Sequence, residues 1–379
     1  MSGLDSLPLR DDLRGEVPYG APQIDVPVRL NVNENPYPPS AALIADIATA
    51  VAAAGGELNR YPDREALQLR ADLAAYLKAT EFVDVDPAGV WAANGSNEVM
   101  HQLMLAFGGP GRSVLGFAPT YSMYPQYCRD TFTHYQTIDR DADFTLDPNV
   151  AVAAVRAREP VITLLTSPNN PTGTALPLDT ARAVLAAAAG HGGLVVVDEA
   201  YAEFRRPGTP SALELLGDYP NLVVTRTMSK AFAYAGARVG YLVAAEAIVD
   251  AVRIVRLPYH LSTVTQAVAS AALAHADELL AQVNTLRADR DTTVDWLRAQ
   301  GFSVADSDAN FVLFGQFADR HAVWQGLLDR GVLIRESGPA PWLRVSIGTP
   351  AEMAAFKQAL LEVTATAGEQ ERPHGKVKA

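Results

Sequence analysis

Four side chains that could do chemistry follow four consecutive apolar runs of the chain, each where its run ends. They are Tyr121, Asn170, Asp198 and Lys230, after the runs 113–117, 161–166, 194–197 and 222–225. Runs of Val, Ile and Leu without polar alternation are typical of strands buried on both faces of a parallel sheet, and ligands bind at the carboxyl ends of such strands. The pattern predicts one site combining an aromatic ring, an amide, a carboxylate and an amine, groups suited to ligand binding and to acid–base or covalent catalysis.

Each of these residues also has an ordinary structural interpretation. An Asp at the end of a strand is commonly a helix cap, and a Lys in a polar loop is commonly a solvated charge. The NPTG segment that begins at Asn170 is a turn signal, and Tyr121 could fill the edge of the sheet. The occurrence of all four in this order, after runs of this kind, favours a site over coincidence.

A second group of residues concerns anions. Ser96 and Asn97 precede the helical run 99–107, where free N–H groups and the helix dipole favour a negative charge. The alternative is an ordinary capping box with Ser96 as the cap, but the sequence lacks the Glu that this motif expects three residues later. Arg238 follows the candidate amine through a turn of small residues. Together these residues indicate a local anion site.

The composition excludes several classes of protein. The chain has 379 residues, which at about 150 per domain predicts two or three domains. Hydrophobic residues make up 49% and charged residues 20%, a balance that excludes disorder as the main state. The net charge of −12 gives no general attraction for nucleic acid or an anionic membrane. A single cysteine, Cys128, excludes an intrachain disulfide, and seven dispersed histidines show no metal-ligand spacing, so we expect no metal site.

The sequence predicts a cytoplasmic protein. The longest relevant uncharged stretch, 183–197, is interrupted by glycines and is shorter than the roughly 20 apolar residues of a membrane span. The first residues are too acidic and too polar for a signal peptide.

The chain divides into three predicted parts. Residues 1–39, rich in Pro and Asn, form an irregular arm across a surface. Residues 40–265 form a large α/β domain with a mostly parallel sheet flanked by helices, and residues 266–379 form a smaller α+β domain. The polar tail, 367–379, is expected to be disordered.

Within these parts, capping residues and apolar runs predict individual elements. Helices are expected to begin at the caps Ser40 and Asp63, and a long helical pattern runs from beyond Ser262 to Gly301. Further strands are expected at 240–243, 311–314 and 343–347.

From about residue 18 to residue 347 the chain resembles the fold-type I aminotransferases, which use pyridoxal 5′-phosphate (PLP), and among them it is most similar to the histidinol-phosphate aminotransferases in their actinobacterial form. The motifs that carry the resemblance are PYGAP (18–22), LNVNENPYPP (30–39), RYPD (60–63), NGSNE (94–98), PTYSMY (119–124), SPNNPTG (167–173), VVDEAY (196–201), TMSKAFAYAGARVGY (227–241) and LRVSIG (343–348). Their combination is highly specific for the PLP family and less specific for the substrate, since related aromatic aminotransferases share most of it.

The resemblance implies a complete PLP site. Lys230 would form the aldimine with the cofactor and afterwards act as base and acid. Asp198 would pair with the protonated ring nitrogen, which the electron-sink chemistry of PLP favours. Asn170 and Tyr201 would hydrogen-bond the ring oxygen O3′, and Tyr121 would stack on the ring.

The resemblance also implies how the cofactor phosphate is held. The expected contacts are Ser96, Asn97, Thr227, Ser229 and Arg238. Tyr61 would reach the same phosphate from a partner subunit, so the active unit would be a homodimer with shared active sites.

The expected reaction transfers the amino group of L-histidinol phosphate to 2-oxoglutarate in histidine biosynthesis, giving imidazole-acetol phosphate and L-glutamate. Arg344 matches the position that family members use for the anionic group of the substrate, and Arg335 and Tyr19 match two further positions lining that site. The alternative for the arginines is surface ion pairing. Asn33 and Glu34 are expected to border the substrate, with no chemical role assigned.

Three other functions share much of this pattern. An aromatic amino acid aminotransferase would use the same arginines for a carboxylate, and arginine binds phosphate and carboxylate through the same geometry. A PLP-dependent decarboxylase would share Lys230 and Asp198. A non-catalytic binding module would not require the amine, so the complete set of residues argues against it. The preferred amino acceptor and any assembly beyond a dimer are left open by the sequence.

Overall fold

The computed structural model describes the backbone of residues 4–370 and the side chains of residue 4 and residues 6–365. The strands are β1 (Val28–Arg29), β2 (Val90–Ala93), β3 (Ser113–Ala118), β4 (His134–Asp139), β5 (Ile162–Thr166), β6 (Leu194–Asp198), β7 (Leu222–Thr227), β8 (Gly240–Ala244), β9 (Ser303–Val304), β10 (Phe311–Gly315), β11 (Val332–Leu333) and β12 (Trp342–Ser346). The α-helices are α1 (Ala41–Gly55), α2 (Leu67–Glu81), α3 (Ser96–Phe107), α4 (Tyr124–Asp130), α5 (Pro148–Arg158), α6 (Leu178–Ala189), α7 (Glu246–Val255), α8 (Thr263–Ala274), α9 (Ala276–Ala299), α10 (Arg320–Leu328) and α11 (Pro350–Gln370).

The central sheet has seven strands in the order β2-β8-β7-β6-β5-β3-β4. The neighbours from β7 to β4 pair in parallel, whereas β8 is antiparallel to both β7 and β2. Alternate residues of a strand enter two separate hydrophobic clusters: Val195 and Val197 lie in one and Val196 in the other. Both faces of the sheet are therefore buried, as the continuous apolar runs predict. The predicted α/β fold with a mostly parallel sheet is confirmed.

All seven predicted strands are present, each within two residues of its expected ends. Two strands of the central sheet, β2 and β4, are not among the predictions. Strand β4 lies at the edge of the sheet and alternates exposed with partly buried residues, so it has no apolar run to identify it.

The C-terminal part of the chain carries a separate antiparallel sheet of order β12-β10-β9. The N-terminal arm joins this part, because β1 pairs in parallel with β11 and the Leu30 N–H donates to the Leu333 carbonyl over 2.8 Å. Leu30, Asn31 and Asn33 are buried. The expectation of a surface arm is wrong for this stretch, since its backbone is paired with a strand. The domain boundaries at 39/40 and 265/266 stay a proposal.

Helix starts and breaks follow local hydrogen bonding. Ser40 caps α1, as predicted, by accepting from the Leu43 N–H. Asp63 is not the N-cap residue of α2, which is Ala66. The Asp63 carboxylate accepts from the Glu65 N–H ahead of the helix and from the N–H of Leu67, the first helical residue, while Ala66 at φ +50° adopts a left-handed conformation that keeps the helix from starting earlier. The long helical pattern after Ser262 forms two helices, α8 and α9, that meet at His275.

The C-terminal tail lies mostly beyond what the structure covers. Helix α11 continues to Gln370, so the first residues of the predicted disordered tail are helical, and 371–379 lie outside the described residues. Across residues 4–370, no helix combines the length and apolarity required to cross a bilayer.

A buried ion network lies beneath the carboxyl edge of the sheet. Arg226, on β7, has no exposed surface and contacts the carboxylates of Glu199 and Glu81, each at 2.7 Å. Arg205 pairs with the same Glu81 at 2.8 Å. Because Glu199 directly follows the last residue of β6, the network ties the ends of β6 and β7 together.

Candidate active site

A cavity of about 390 Å³ opens at the carboxyl edge of the central sheet. Every candidate residue named from the sequence lines it, with one exception, Tyr61. The lining comes from the ends of β3, β5, β6 and β7, from the N-terminal arm and from the C-terminal part of the chain. The predicted convergence of an aromatic ring, an amide, a carboxylate and an amine at one edge is therefore present.

Tyr61 lies away from this cavity. Its side chain is 78% exposed, and its ring stacks on that of Tyr259 with 4.3 Å between centroids. The expectation that Tyr61 enters the site of a partner subunit stays a prediction.

The amine of Lys230 sits just beyond the end of β7. Its Nζ donates to the Val32 carbonyl of the arm over 2.9 Å. Burial, and to a lesser extent the positive charge of Arg344, lowers its pKa to about 8. Near neutral pH a larger fraction of this amine is uncharged than of an ordinary lysine, and the uncharged amine is the form that acts as a nucleophile or base.

The carboxylate of Asp198, the last residue of β6, accepts from the Tyr124 hydroxyl at 2.7 Å and from the Ala200 N–H at 3.2 Å. Burial nevertheless raises its pKa. A cationic group bound beside Asp198 would restore the charged carboxylate by opposite-charge stabilisation. This pocket therefore suits the protonated nitrogen of a pyridine ring.

Sequence reasoning did not single out Tyr124. This fully buried tyrosine also lies 3.0 Å from the Thr166 hydroxyl, and its ring contacts Tyr121 edge to face. Its spacing in the sequence could have identified it: Tyr124 follows Tyr121 by three residues and is the first residue of α4, the helix that comes after β3. Tyr124 holds one oxygen of Asp198 and leaves the carboxylate oriented toward the cavity.

The start of α3 and the turn after Lys230 form a cradle for an anion. Helix α3 begins at Ser96 itself, with Gly95 in the N-cap position, so Ser96 does not serve as the cap of an ordinary capping box. Gly95 has φ +84°, which favours glycine, and a Cβ there would lie 2.6 Å from the Arg238 guanidinium, so a larger residue would displace Arg238 from this position. Helix N–H groups and a guanidinium together suit a phosphate dianion.

Hydroxyl groups at the end of β7 face the same cradle. Thr227 donates to the Ser229 hydroxyl over 3.0 Å, and the Ser229 N–H returns a hydrogen bond to Thr227 over 3.1 Å. Asn97 also lines the cavity and accepts from the Tyr121 hydroxyl at 3.4 Å. The amine, the buried carboxylate and this set of donors fit the aldehyde, ring nitrogen and phosphate of PLP.

Two arginines from the C-terminal part of the chain enter the cavity side by side. Arg335 and Arg344 exchange two backbone hydrogen bonds, of 2.9 and 3.0 Å. Arg344 is 6% exposed, donates to the Asn170 side chain at 2.6 Å and to the Asn31 carbonyl at 2.9 Å, and has a buried Nε without a partner. A buried nitrogen of Arg335 also lacks a partner. A buried cation requires a compensating partner, so surface ion pairing does not account for Arg344, and the partly buried Arg335 beside it directs an unpartnered nitrogen into the same protein interior.

Burial also affects the guanidinium of Arg344, whose pKa falls to about 10. Tyr19 approaches this region from the arm, where it is 48% exposed and accepts from the Ser122 hydroxyl at 3.2 Å. Glu34 lines the cavity beside Lys230 and opposes the lowering of the lysine pKa.

Comparisons with known proteins agree with this geometry. Residues 25–360 match the model of the family described as aminotransferase class I and II. A histidinol-phosphate aminotransferase 3 of Burkholderia lata is 65% identical over 362 residues, which cover 96% of this chain and 97% of that one. A histidinol-phosphate aminotransferase of Thermobifida fusca is 64% identical over 96% of this chain and 97% of its own. The crystal structure of the histidinol-phosphate aminotransferase of Sinorhizobium meliloti in complex with PLP superposes with a TM-score of 0.79 at 26% identity, over 90% of this chain and 92% of that one.

Proposed function

The chain belongs to the class I and II aminotransferase family, and we propose that it transfers the amino group of L-histidinol phosphate to 2-oxoglutarate, giving imidazole-acetol phosphate and L-glutamate in histidine biosynthesis. It is a PLP-dependent enzyme, as the resemblance predicts. The observation that carries the proposal is a pair of arginines in the same cavity as Lys230: Arg344 is buried, and Arg335 is partly buried with one guanidinium nitrogen that is buried and without a partner. An amine that can bind the cofactor thus shares its cavity with a clamp for the anionic end of a substrate.

When bound, PLP supplies an electron sink for the carbon that carries the amino group. Asp198 keeps the ring nitrogen protonated, because the carboxylate is buried and oriented by Tyr124. The start of α3 and Arg238 hold the phosphate of the cofactor. Lys230 would hold the cofactor through its amine and would move the proton at the reacting carbon, a task to which a pKa of about 8 suits it.

The two half-reactions use one anion clamp. Arg344 and Arg335 bind the phosphate of histidinol phosphate in the first, and a carboxylate of glutamate or 2-oxoglutarate in the second, since the planar guanidinium accommodates either group. An aromatic aminotransferase would bind a carboxylate in both. The relatives at 64–65% identity bear the name histidinol-phosphate aminotransferase, which favours the phosphate substrate.

We also propose a cytoplasmic homodimer with shared sites. Exposed hydrophobic side chains support the dimer. Those of Tyr61, Leu58, Ile254, Leu257 and Tyr259 are all large and exposed. Such side chains on a monomer mark an interaction surface when they form a patch.

A half-reaction tests the substrate assignment. The PLP form of the enzyme is mixed separately with histidinol phosphate, phenylalanine and tyrosine, and the loss of the visible band of the cofactor is followed by stopped flow. We expect the highest second-order rate constant with histidinol phosphate. A higher rate with phenylalanine would replace the proposal by the aromatic aminotransferase.

A further inference from the structure

Asn33 has an unusual backbone conformation at the edge of the cavity. It adopts φ +57°, a left-handed conformation that is uncommon outside glycine and that asparagine tolerates better than most residues. It is also 1% exposed, so its polar atoms are removed from water. Strained, buried residues of this kind persist where surrounding contacts fix them.

Those contacts come from distant parts of the chain. The Asn33 N–H donates to the Ser346 hydroxyl over 2.8 Å, and that hydroxyl donates back to Asn33 Oδ1 over 2.9 Å. Asn310 donates to the Asn33 carbonyl over 3.0 Å. The remaining polar group, Nδ2, donates to the Tyr201 hydroxyl oxygen over 2.9 Å.

The hydrogen-bond pattern fixes which way the amide of Asn33 points. Ser346 accepts from the Asn33 N–H and donates its single hydroxyl proton to Asn33 Oδ1; with the amide reversed, Nδ2 would face this hydroxyl and its proton would lose that acceptor. Oδ1 therefore faces Ser346, and Nδ2 faces Tyr201. The amide of Asn170 is fixed in the same way, because Arg344 has donors only and takes Oδ1, which leaves Asn170 Nδ2 directed at Tyr201 over 3.4 Å.

The oxygen of Tyr201 thus accepts from two amide groups and has its own proton left for a third direction, toward the cavity that it lines. We propose that Asn33 is a positioning residue, which occupies an acceptor site of Tyr201 so that the tyrosine donates its proton to the ring oxygen of bound PLP. The inference rests on the proposed cofactor. Through Ser346, two residues after Arg344 on β12, the same contact ties Tyr201 to the strand that carries the anion clamp.

The test is a pH titration of the visible absorption of the PLP-bound protein, which does not depend on turnover. A proton donated to the ring oxygen stabilises the anionic form of that oxygen, so losing the donor raises the midpoint of the spectral transition. Asn33→Asp offers Tyr201 an acceptor and draws its proton away from the cavity. The expected rise is about 0.5–1 pH unit, the size of one hydrogen bond.

A double-mutant cycle separates this effect from the added charge of the aspartate. In the Tyr201→Phe background the hydroxyl is absent, so only the effect of the added charge remains and Asn33→Asp should raise the midpoint by less than it does when Tyr201 is present. Asn31→Asp is the matched control: Asn31 is buried and lines the same cavity, but its side chain donates to the Pro22 carbonyl, so any shift should be the same with and without the Tyr201 hydroxyl.

Equal shifts from Asn33→Asp in both backgrounds, or no shift at all, would overturn the inference. Asn33→Gly keeps the backbone conformation accessible and removes the amide, and it should raise the midpoint only when Tyr201 is present. This variant decides the matter if Asn33→Asp does not fold. A wild-type protein without a PLP band would instead contradict the proposed function, so the two failures are distinguishable.

Discussion

Replacing Arg344 by Ala should impair both half-reactions strongly. The side chain is buried, and its removal leaves Asn170 Oδ1 and the Asn31 carbonyl without their donors and the substrate anion without its clamp. Removing one partner of a buried, hydrogen-bonded charge pair costs about 2–5 kcal/mol. At about 1.4 kcal/mol per decade, kcat/KM should fall by about 30-fold to several thousand-fold.

The assay measures each half-reaction alone by stopped flow, with histidinol phosphate against the PLP form and with 2-oxoglutarate against the aminated form. Arg344→Lys should also be impaired, because the compact ammonium group of lysine cannot replace the planar guanidinium, which binds an anion through two parallel hydrogen bonds. Dephosphorylated histidinol should be a poor substrate whose residual rate barely responds to Arg344→Ala. Arg330→Ala, which removes a partly exposed ion pair with Glu362, is the matched control and should leave both rates unchanged. An unchanged rate with histidinol phosphate in Arg344→Ala would refute the shared clamp.

Three further outcomes are expected. Burial lowers the pKa of Lys230 to about 8. When PLP is added to the cofactor-free protein, the rate at which the visible band appears should therefore rise with pH and level off above about pH 8. A tenfold rise per pH unit that continues to pH 10 would contradict this. Borohydride reduction of the loaded enzyme, followed by peptide mapping, should place the cofactor on Lys230, and labelling of another lysine would refute the assignment. Mixing Lys230→Ala with an inactive, folded Tyr61→Ala protein should restore activity, measured by transamination, because one composite site of the heterodimer contains both residues; no recovery despite demonstrated subunit exchange would contradict the shared site.

The cofactor part of the site could be predicted from the sequence because its determinants are local. Asp198 and Lys230 each follow a strand whose apolar run identifies it, and parallel pairing then brings the ends of β6 and β7 to one edge. The same reasoning missed β4, because an edge strand with one solvated side has no continuous apolar run.

Contacts between distant segments could not be predicted in this way. Asn33 was expected to border the substrate without a role, and its hydrogen bond to Tyr201 depends on where Ser346, 313 residues later, is placed. The buried partners of Arg226 depend likewise on packing between elements rather than on local pattern. The cap assigned to Asp63 was wrong because the left-handed Ala66 is a property of the folded turn, not of the residue types.

The pairing of β1 with β11 has a consequence for synthesis on the ribosome. Val28 and Val332 are neighbours in the folded protein, so the arm has no strand partner until the C-terminal part of the chain has emerged. At roughly 5–20 residues per second the arm waits on the order of 15–60 s for that partner. Late in this interval, after residue 230 has been added, a nascent chain contains Asp198 and Lys230 but still lacks Arg335 and Arg344. The set of cavity residues is therefore complete only after Arg344 has been added, and a product terminated before that residue lacks the anion clamp.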